Sequence, residues 1–404
     1  MSGFVPPPYP YDRLDDLKAV ASSHDGGIVD LSIGTPGDPP PPAVVAALAS
    51  SGAERGYPAS IGTAAFRRSA AGWMSRRFGV DVPLDALAAC VGTKELVASV
   101  PHILRLRRPD RDTVLYPAVA YPTYEMGTVL AGCRSVPVAV DDQWRLDLSA
   151  IDEADAARAL CLWVNSPGNP AGNLDDLGAA AEWGRARGVP VLSDECYAEF
   201  TWDGPPRTIL QHGLDGVLAV HSLSKRSNLA GVRAGFYAGD PALVPYLAEV
   251  RKHAGLMTPG PVQAAAVVAF DDDAHVEAQR RRYRERLELF AGVLAGMGVD
   301  VALPGGSFYL WAPAPGGDGW ALASELAAKG GALVSPGEFY GAAGAGHVRI
   351  ALVQPLDRLR LVAHRLGLRG LNAPTGLRGL NAPTGLRGLN APTGLRGLNA
   401  PTGL

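Results

Sequence analysis

Cysteine is scarce in this chain. Its four residues, Cys90, Cys133, Cys161 and Cys196, lie far apart with no Cys-x-x-Cys pair. That spacing gives no disulfide framework and indicates no metal site; it fits reduced, mostly buried thiols of a cytoplasmic protein. No run approaches the ~18 uninterrupted apolar residues of a membrane-spanning helix. The N-terminus, Met1-Ser2-Gly3-Phe4-Val5-Pro6-Pro7-Pro8, has neither a basic nor an apolar segment, so neither export nor membrane insertion is expected. Basic charge is also lacking: the net charge is −3, and without the four arginines of the C-terminal repeats 33 basic residues face 40 acidic ones. A nucleic-acid partner is therefore not expected.

What remains is an ordinary globular composition, 47% hydrophobic and 19% charged. Its 404 residues suffice for two domains, or one large α/β domain with an appendage. Residues 1–42 read as a proline-rich arm ending in Ser32-Ile33-Gly34-Thr35-Pro36. From Ala43 to about Leu366, helical and strand patterns alternate, which predicts an α/β fold with a largely parallel sheet. Strands are expected at Thr113–Tyr116, Ala159–Val164, Pro190–Ser193 and Val217–His221, with helices at Leu174–Arg187 and Val262–Met297. A smaller α+β domain is expected over 285–367, with strands at Val299–Leu303, Ser307–Trp311, Ala332–Val334 and Val348–Ala351 and a helix at Ala321–Lys329. The large domain is then 43–284. From Leu368 the nonapeptide Leu-Arg-Gly-Leu-Asn-Ala-Pro-Thr-Gly repeats four times. Its recurring Pro and Gly forbid a continuous helix and it has too little apolar material for a core, so 368–404 is expected to be disordered.

The chemistry concentrates just after the C-terminal ends of the predicted strands, the edge at which open α/β sheets bind ligands. In His221-Ser222-Leu223-Ser224-Lys225-Arg226-Ser227-Asn228-Leu229-Ala230-Gly231-Val232-Arg233, a lysine follows an apolar strand between two hydroxyls, with an arginine eight positions on. Such a lysine can form a Schiff base if nearby cations and desolvation lower its pKa. The hydroxyls and guanidinium suit a phosphate-bearing cofactor. Ser-x-x-Lys also opens the penicillin-binding serine enzymes, but their Ser-Asp-Asn and Lys-Thr-Gly partners are missing. Asp194-Glu195-Cys196-Tyr197 closes another strand; taken alone, Asp194 could equally cap the turn that follows. Gly92-Thr93-Lys94-Glu95-Leu96 opens a helix whose N–H groups suit phosphate. Asn165-Ser166-Pro167-Gly168-Asn169-Pro170-Ala171-Gly172 is a turn whose X-Pro bonds allow a cis peptide that could hold it rigid. Arg349 sits in an apolar strand-like run, where an unpaired charge is costly to bury.

Together, in this order, these segments resemble the class I/II, fold-type-I aminotransferases, which use pyridoxal 5′-phosphate (PLP), over roughly residues 28–366. The resemblance implies a PLP-transferase fold: a large domain with a mostly parallel sheet flanked by helices, and a smaller α+β domain that the N-terminal arm joins as a substrate lid. It implies that Lys225 carries the cofactor and moves the Cα proton, that Asp194 holds the ring nitrogen protonated, and that Tyr197 and Asn169 bond the 3′-oxygen. Thr93, Lys94, Ser222, Ser224 and Arg233 would surround the phosphate, and Tyr121 would stack on the ring. Asn165–Gly172 departs from the family's Asn-Pro-x-Asn-Pro-Thr-Gly by an inserted Ser166 and by Ala171 for Thr. Tyr57, in Gly56-Tyr57-Pro58, matches the tyrosine that reaches the neighbouring subunit's phosphate, which implies a homodimer with shared sites. Arg349 and Gly34 match the residues that hold the substrate α-carboxylate.

Asp30–Pro36, Gly92–Ala98, His221–Gly231, Val250–Met257, Glu277–Arg280 and Pro336–Gly341 look like N-succinyldiaminopimelate aminotransferases in particular. That implies exchange of glutamate's amino group with N-succinyl-2-amino-6-oxopimelate, in diaminopimelate and lysine synthesis. The residues themselves support only an amino acid with an α-carboxylate. A second, distal carboxylate needs a cation, for which Lys94, Arg226, Arg251 and Lys252 are candidates. An aminotransferase of aspartate or aromatic type, or a PLP-dependent C–S β-lyase, would share the cofactor residues. A regulator built on an aminotransferase-like domain would need a winged-helix domain of about 70 residues in front, where about 27 stand.

Overall fold

The computed structural model describes residues 4–368. Residues 369–404, and the expectation of a disordered repeat tail, lie outside that range. Leu368, the first residue of the repeats, packs against the second core described below, its N–H bonded to Ala363 O at 3.1 Å.

A seven-stranded sheet forms the centre. Its strands are β2 (Leu87–Cys90), β3 (Thr113–Pro117), β4 (Arg134–Val138), β5 (Ala159–Asn165), β6 (Val191–Asp194), β7 (Val217–Ser222) and β8 (Gly235–Gly239), following a short β1 (Val29–Asp30) that lies elsewhere. The spatial order is β2-β8-β7-β6-β5-β3-β4, and only β8 runs against its neighbours. Every residue of β5, β6 and β7 is buried, the mark of parallel strands covered by helices on both faces. β4 is the edge, partly exposed and containing Pro137, where a missing N–H is tolerated. The alternation thus yields the expected α/β fold. β2, β4 and β8 had no clear strand signal.

A second body has a three-stranded antiparallel sheet of β9 (Tyr309–Pro313), β11 (Ser335–Pro336) and β12 (His347–Ala351), in the order β11-β12-β9. β10 (Ala332–Leu333) pairs with β1 in parallel, Val29 opposite Ala332. Val29 and Leu31 share one core with Leu287, Phe290, Leu310, Ile350 and Val362. The arm therefore packs with residues some 300 positions later.

Two expectations fail. Val262–Met297 is not one helix but two, Gly260–Asp271 and Ala274–Gly296. Asp272 is extended (φ −106°, ψ 106°), and its carboxylate accepts from Ala274 N at 2.9 Å and His275 N at 3.3 Å, satisfying donors the second helix would leave bare. Val299–Leu303 forms no strand. Gly298 turns the chain at φ +79° and Val299 N bonds back to Leu294 O at 2.9 Å, so Val299 closes the helix end instead.

Candidate active site

Register brings the chemistry to one edge. Asn165 lies opposite Asp194 across β5 and β6, and Asp194 opposite Val220 across β6 and β7. Three predicted segments therefore end side by side. Asn165 Nδ2 donates to Asp194 O at 2.8 Å while its Oδ1 accepts from Asn169 N at 2.8 Å, tying the loop after β5 to the end of β6. The peptide bonds before Pro167 and Pro170 are both cis.

Asp194 is 6% exposed. Its carboxylate accepts from Tyr124 Oη at 2.9 Å and Cys196 N at 3.2 Å. Burial raises its pKa and these bonds oppose the rise. Lys225 stands in the turn Leu223–Arg226, capped by Ser222, whose Oγ accepts from Ser224 N at 3.1 Å. The Lys225 amine donates to the Gly34 carbonyl. Burial pushes its pKa down to about 8; Cys196 opposes the fall, and Arg349 and Arg233 add to it. An amine so shifted is partly neutral near physiological pH, as a nucleophile or proton carrier needs.

These groups line a cavity of about 410 Å³ with Thr93, Lys94, Tyr121, Asn169, Tyr197, Ser222, Ser224, Arg233, Gly34 and Arg349. Of the residues that the resemblance assigned to the cofactor or the α-carboxylate, all but one meet there. Tyr57 is the exception: it is 97% exposed and does not line the cavity. A larger depression, about 480 Å³ beside the helix Leu177–Arg187, sets Asp141, Asp147, Asp175 and Asp176 against one arginine, Arg145. It does not suit an anionic cofactor.

One end of the cavity fits a phosphate. Gly92 begins the helix Thr93–Arg107 at φ +72°, and the Arg233 guanidinium fills the space a Cβ there would take. Bare helix N–H groups, a guanidinium and the hydroxyls of Ser222, Ser224 and Thr93 form an anion-binding donor set. The other end is built on Arg349, 2% exposed on β12. It donates to Asn169 Oδ1 at 2.8 Å, Tyr11 Oη at 3.2 Å and the Ser32 carbonyl, all neutral acceptors. The faces of Tyr309 and Tyr340 flank it at 4.3 and 4.8 Å. Between the ends stand an amine for an aldehyde, a buried carboxylate for a ring nitrogen and phenols for a hydroxyl, so the residues present fit PLP.

Three of the four candidate cations for a distal carboxylate lie elsewhere. Arg226 is buried on Ala269 O and beside Glu199, Arg251 grips Glu95, and Lys252 pairs on the surface with Glu249. Lys94 alone of the four lines the cavity, its ammonium 5.1 Å from the Tyr9 ring centroid. Sequence reasoning missed Tyr11, Tyr124, Cys196 and Tyr309. Tyr124 had a signal, three residues beyond Tyr121 on a predicted βα edge, whereas Tyr309 and Tyr11 reach the site only through long-range packing.

Residues 27–366 match the family Aminotransferase class I and II. A probable aminotransferase of Mycobacterium tuberculosis is 43% identical over 89% of this chain and 85% of its own. OxyQ of Streptomyces rimosus, a 4-dedimethylamino-4-oxo-anhydrotetracycline transaminase, is 43% identical over 89% and 99%. Among solved structures, a probable N-succinyldiaminopimelate aminotransferase from Thermus thermophilus superposes with a TM-score of 0.79 at 31% identity, covering 88% of this chain and 98% of that one. With a PLP-competent cavity on such a fold, the chain belongs to the class I and II aminotransferases, PLP-dependent enzymes that transfer amino groups between amino acids and oxo acids.

Proposed function

We propose that this aminotransferase exchanges an amino group between glutamate/2-oxoglutarate and N-succinyl-2-amino-6-oxopimelate. The observation that carries the reading is the buried Arg349, whose hydrogen bonds among the described residues all go to neutral groups and whose charge calls for a substrate carboxylate. Lys94, at the same cavity and stacked on Tyr9, supplies the cation for a second carboxylate. Glutamate and the proposed acceptor both have two such ends.

Bound PLP supplies the electron sink that makes the Cα–H bond acidic. Lys225 would hold the cofactor between turnovers; its amine, released when the amino donor takes its place, would take the proton from the substrate Cα and return it as general acid. Asp194, held by Tyr124 and Cys196, keeps the ring nitrogen protonated. Tyr197 bonds the 3′-oxygen. Asn169, whose Oδ1 is taken by Arg349, makes no Nδ2 bond among the described residues and can donate there as well. Thr93, Ser222, Ser224 and Arg233 hold the phosphate, Tyr121 covers the ring, and Gly34 with Arg349 orients the α-carboxylate. The exposed Tyr57 belongs to the site of a second subunit in a homodimer. Four unpaired cysteines suit a cytoplasmic setting; among the described residues no helix is long and apolar enough to cross a membrane.

A second reading, a ring ketone as acceptor, is favoured by the 43% match to OxyQ over 99% of its length. The test follows the visible absorbance of the PLP-loaded protein. Glutamate should bleach it, and N-succinyl-2-amino-6-oxopimelate should restore it. Restoration by a fused-ring ketone alone would favour the second reading. Pyruvate released from cystathionine without any oxo acceptor would replace both with a lyase.

A further inference from the structure

Tyr197 and Tyr309 lie 112 residues apart in sequence, yet their hydroxyls meet at 2.8 Å inside the cavity wall. Both are almost fully buried, at 6% and 1% exposure. No other hydrogen bond of either hydroxyl is found among the described residues, so two hydroxyl hydrogens share one contact. One phenol donates to the other, and the recipient's own hydrogen is left to point elsewhere.

The surroundings decide which. The Arg349 guanidinium lies 4.3 Å over the Tyr309 ring, drawing electron density from that phenol. Burial raises the pKa of both and Arg349 opposes the rise in both, but of the two rings only that of Tyr309 lies under the guanidinium, which makes Tyr309 the better donor. The Tyr309 hydroxyl also occupies the volume that a Cβ on Gly34 would need, so it is wedged against the residue whose carbonyl accepts from Lys225. Tyr309 is thus fixed from three sides: Arg349 on its face, Gly34 against its tip and Tyr197 at its hydrogen bond.

We infer that Tyr309 is a positioning residue whose phenol donates to Tyr197 Oη and thereby turns the Tyr197 hydrogen into the cavity, toward the 3′-oxygen of the cofactor held by Lys225. The inference rests on the role proposed above for Tyr197. Tyr309 does not touch the reacting atoms. It removes the alternative in which Tyr197 spends its only hydrogen on a protein neighbour, and because its ring packs on Arg349 it links the carboxylate end of the cavity to the cofactor end.

The test is a pH titration of the visible absorbance of the PLP-loaded protein for wild type, Tyr309→Phe, Tyr197→Phe and the double variant. Phe keeps the ring and its packing on Arg349 and deletes only the hydroxyl. Tyr309→Phe should move the titration midpoint in the same direction as Tyr197→Phe but by less, about half a pH unit. Adding Tyr309→Phe to Tyr197→Phe should move it no further, because Tyr309 acts through Tyr197. An unmoved midpoint in Tyr309→Phe, beside a clear shift in Tyr197→Phe, overturns the inference and leaves the Tyr197 role standing. Full additivity in the double variant overturns it too. No shift in Tyr197→Phe itself removes the Tyr197 role and the inference with it.

Discussion

The Lys225 amine hydrogen bonds the backbone carbonyl of Gly34, 191 residues earlier in the chain. One bond joins the turn after β7 to the arm that packs with the second core. The Lys225 amine therefore sits where the two bodies of the molecule meet, within the same cavity as the phosphate-type donors and the carboxylate-type guanidinium.

Arg349→Ala should separate substrate binding from cofactor binding. Loss of a charged hydrogen-bonding group should lower kcat/KM for glutamate by about 10²-fold or more. Visible absorbance of bound PLP should remain, because Arg349 bonds Asn169, Tyr11 and Ser32 rather than the phosphate-type donors. Loss of the absorbance would show a structural role instead.

Lys94→Met tests the second carboxylate. Steady-state kinetics should show kcat/KM for glutamate falling by about 10-fold to 10²-fold. Alanine, with one carboxylate, should be used as before. Equal losses for both donors would place Lys94 at the cofactor rather than the substrate.

The depressed pKa of Lys225 has a consequence for the cofactor-free protein. Its folded value is about 8 against an ordinary 10.5. Between those values the unfolded chain binds more protons than the folded one, so stability rises with pH through that window; below it this group adds no slope. Cofactor-free Lys225→Met should therefore be more stable than wild type by about 1–3 kcal/mol near pH 7, with the gap closing toward about pH 10. Thermal unfolding across pH measures this; a gap constant with pH would contradict it.

Glu199 tests the scaffold beneath the site. It is 3% exposed, accepts from Trp73 Nε1 at 2.7 Å and from Arg77 at 3.0 and 2.9 Å, and lies 3.5 Å from Arg226. Glu199→Ala strands buried guanidinium charge and should destabilise the fold by about 3–5 kcal/mol in urea titration. A loss below 1 kcal/mol, the size of a surface pair, would contradict this account.

Much of the site was legible because its residues follow strands. Asp194, Lys225 and Asn169 each come just after a buried apolar run, and parallel pairing brings such ends to one edge. The segments proposed to hold the cofactor kept their spacing signals for the same reason. What packing alone decides was not legible. The Tyr309–Tyr197 and Tyr11–Arg349 contacts span 112 and 338 residues and leave no local pattern. Leu87–Cys90, with two alanines in four residues, looks like any apolar stretch, and its strand exists only because β8 pairs with it. The apolar run at Val299–Leu303 misled in the opposite sense, since one positive-φ glycine and a bond back to Leu294 bind it to a helix end.

The most direct test is borohydride reduction of the PLP-loaded protein, followed by peptide mapping of the fixed cofactor. The adduct is expected on Lys225, and Lys225→Ala should lose both the adduct and the visible absorbance of wild type. An adduct on any other lysine, or an unchanged spectrum in Lys225→Ala, would contradict the account.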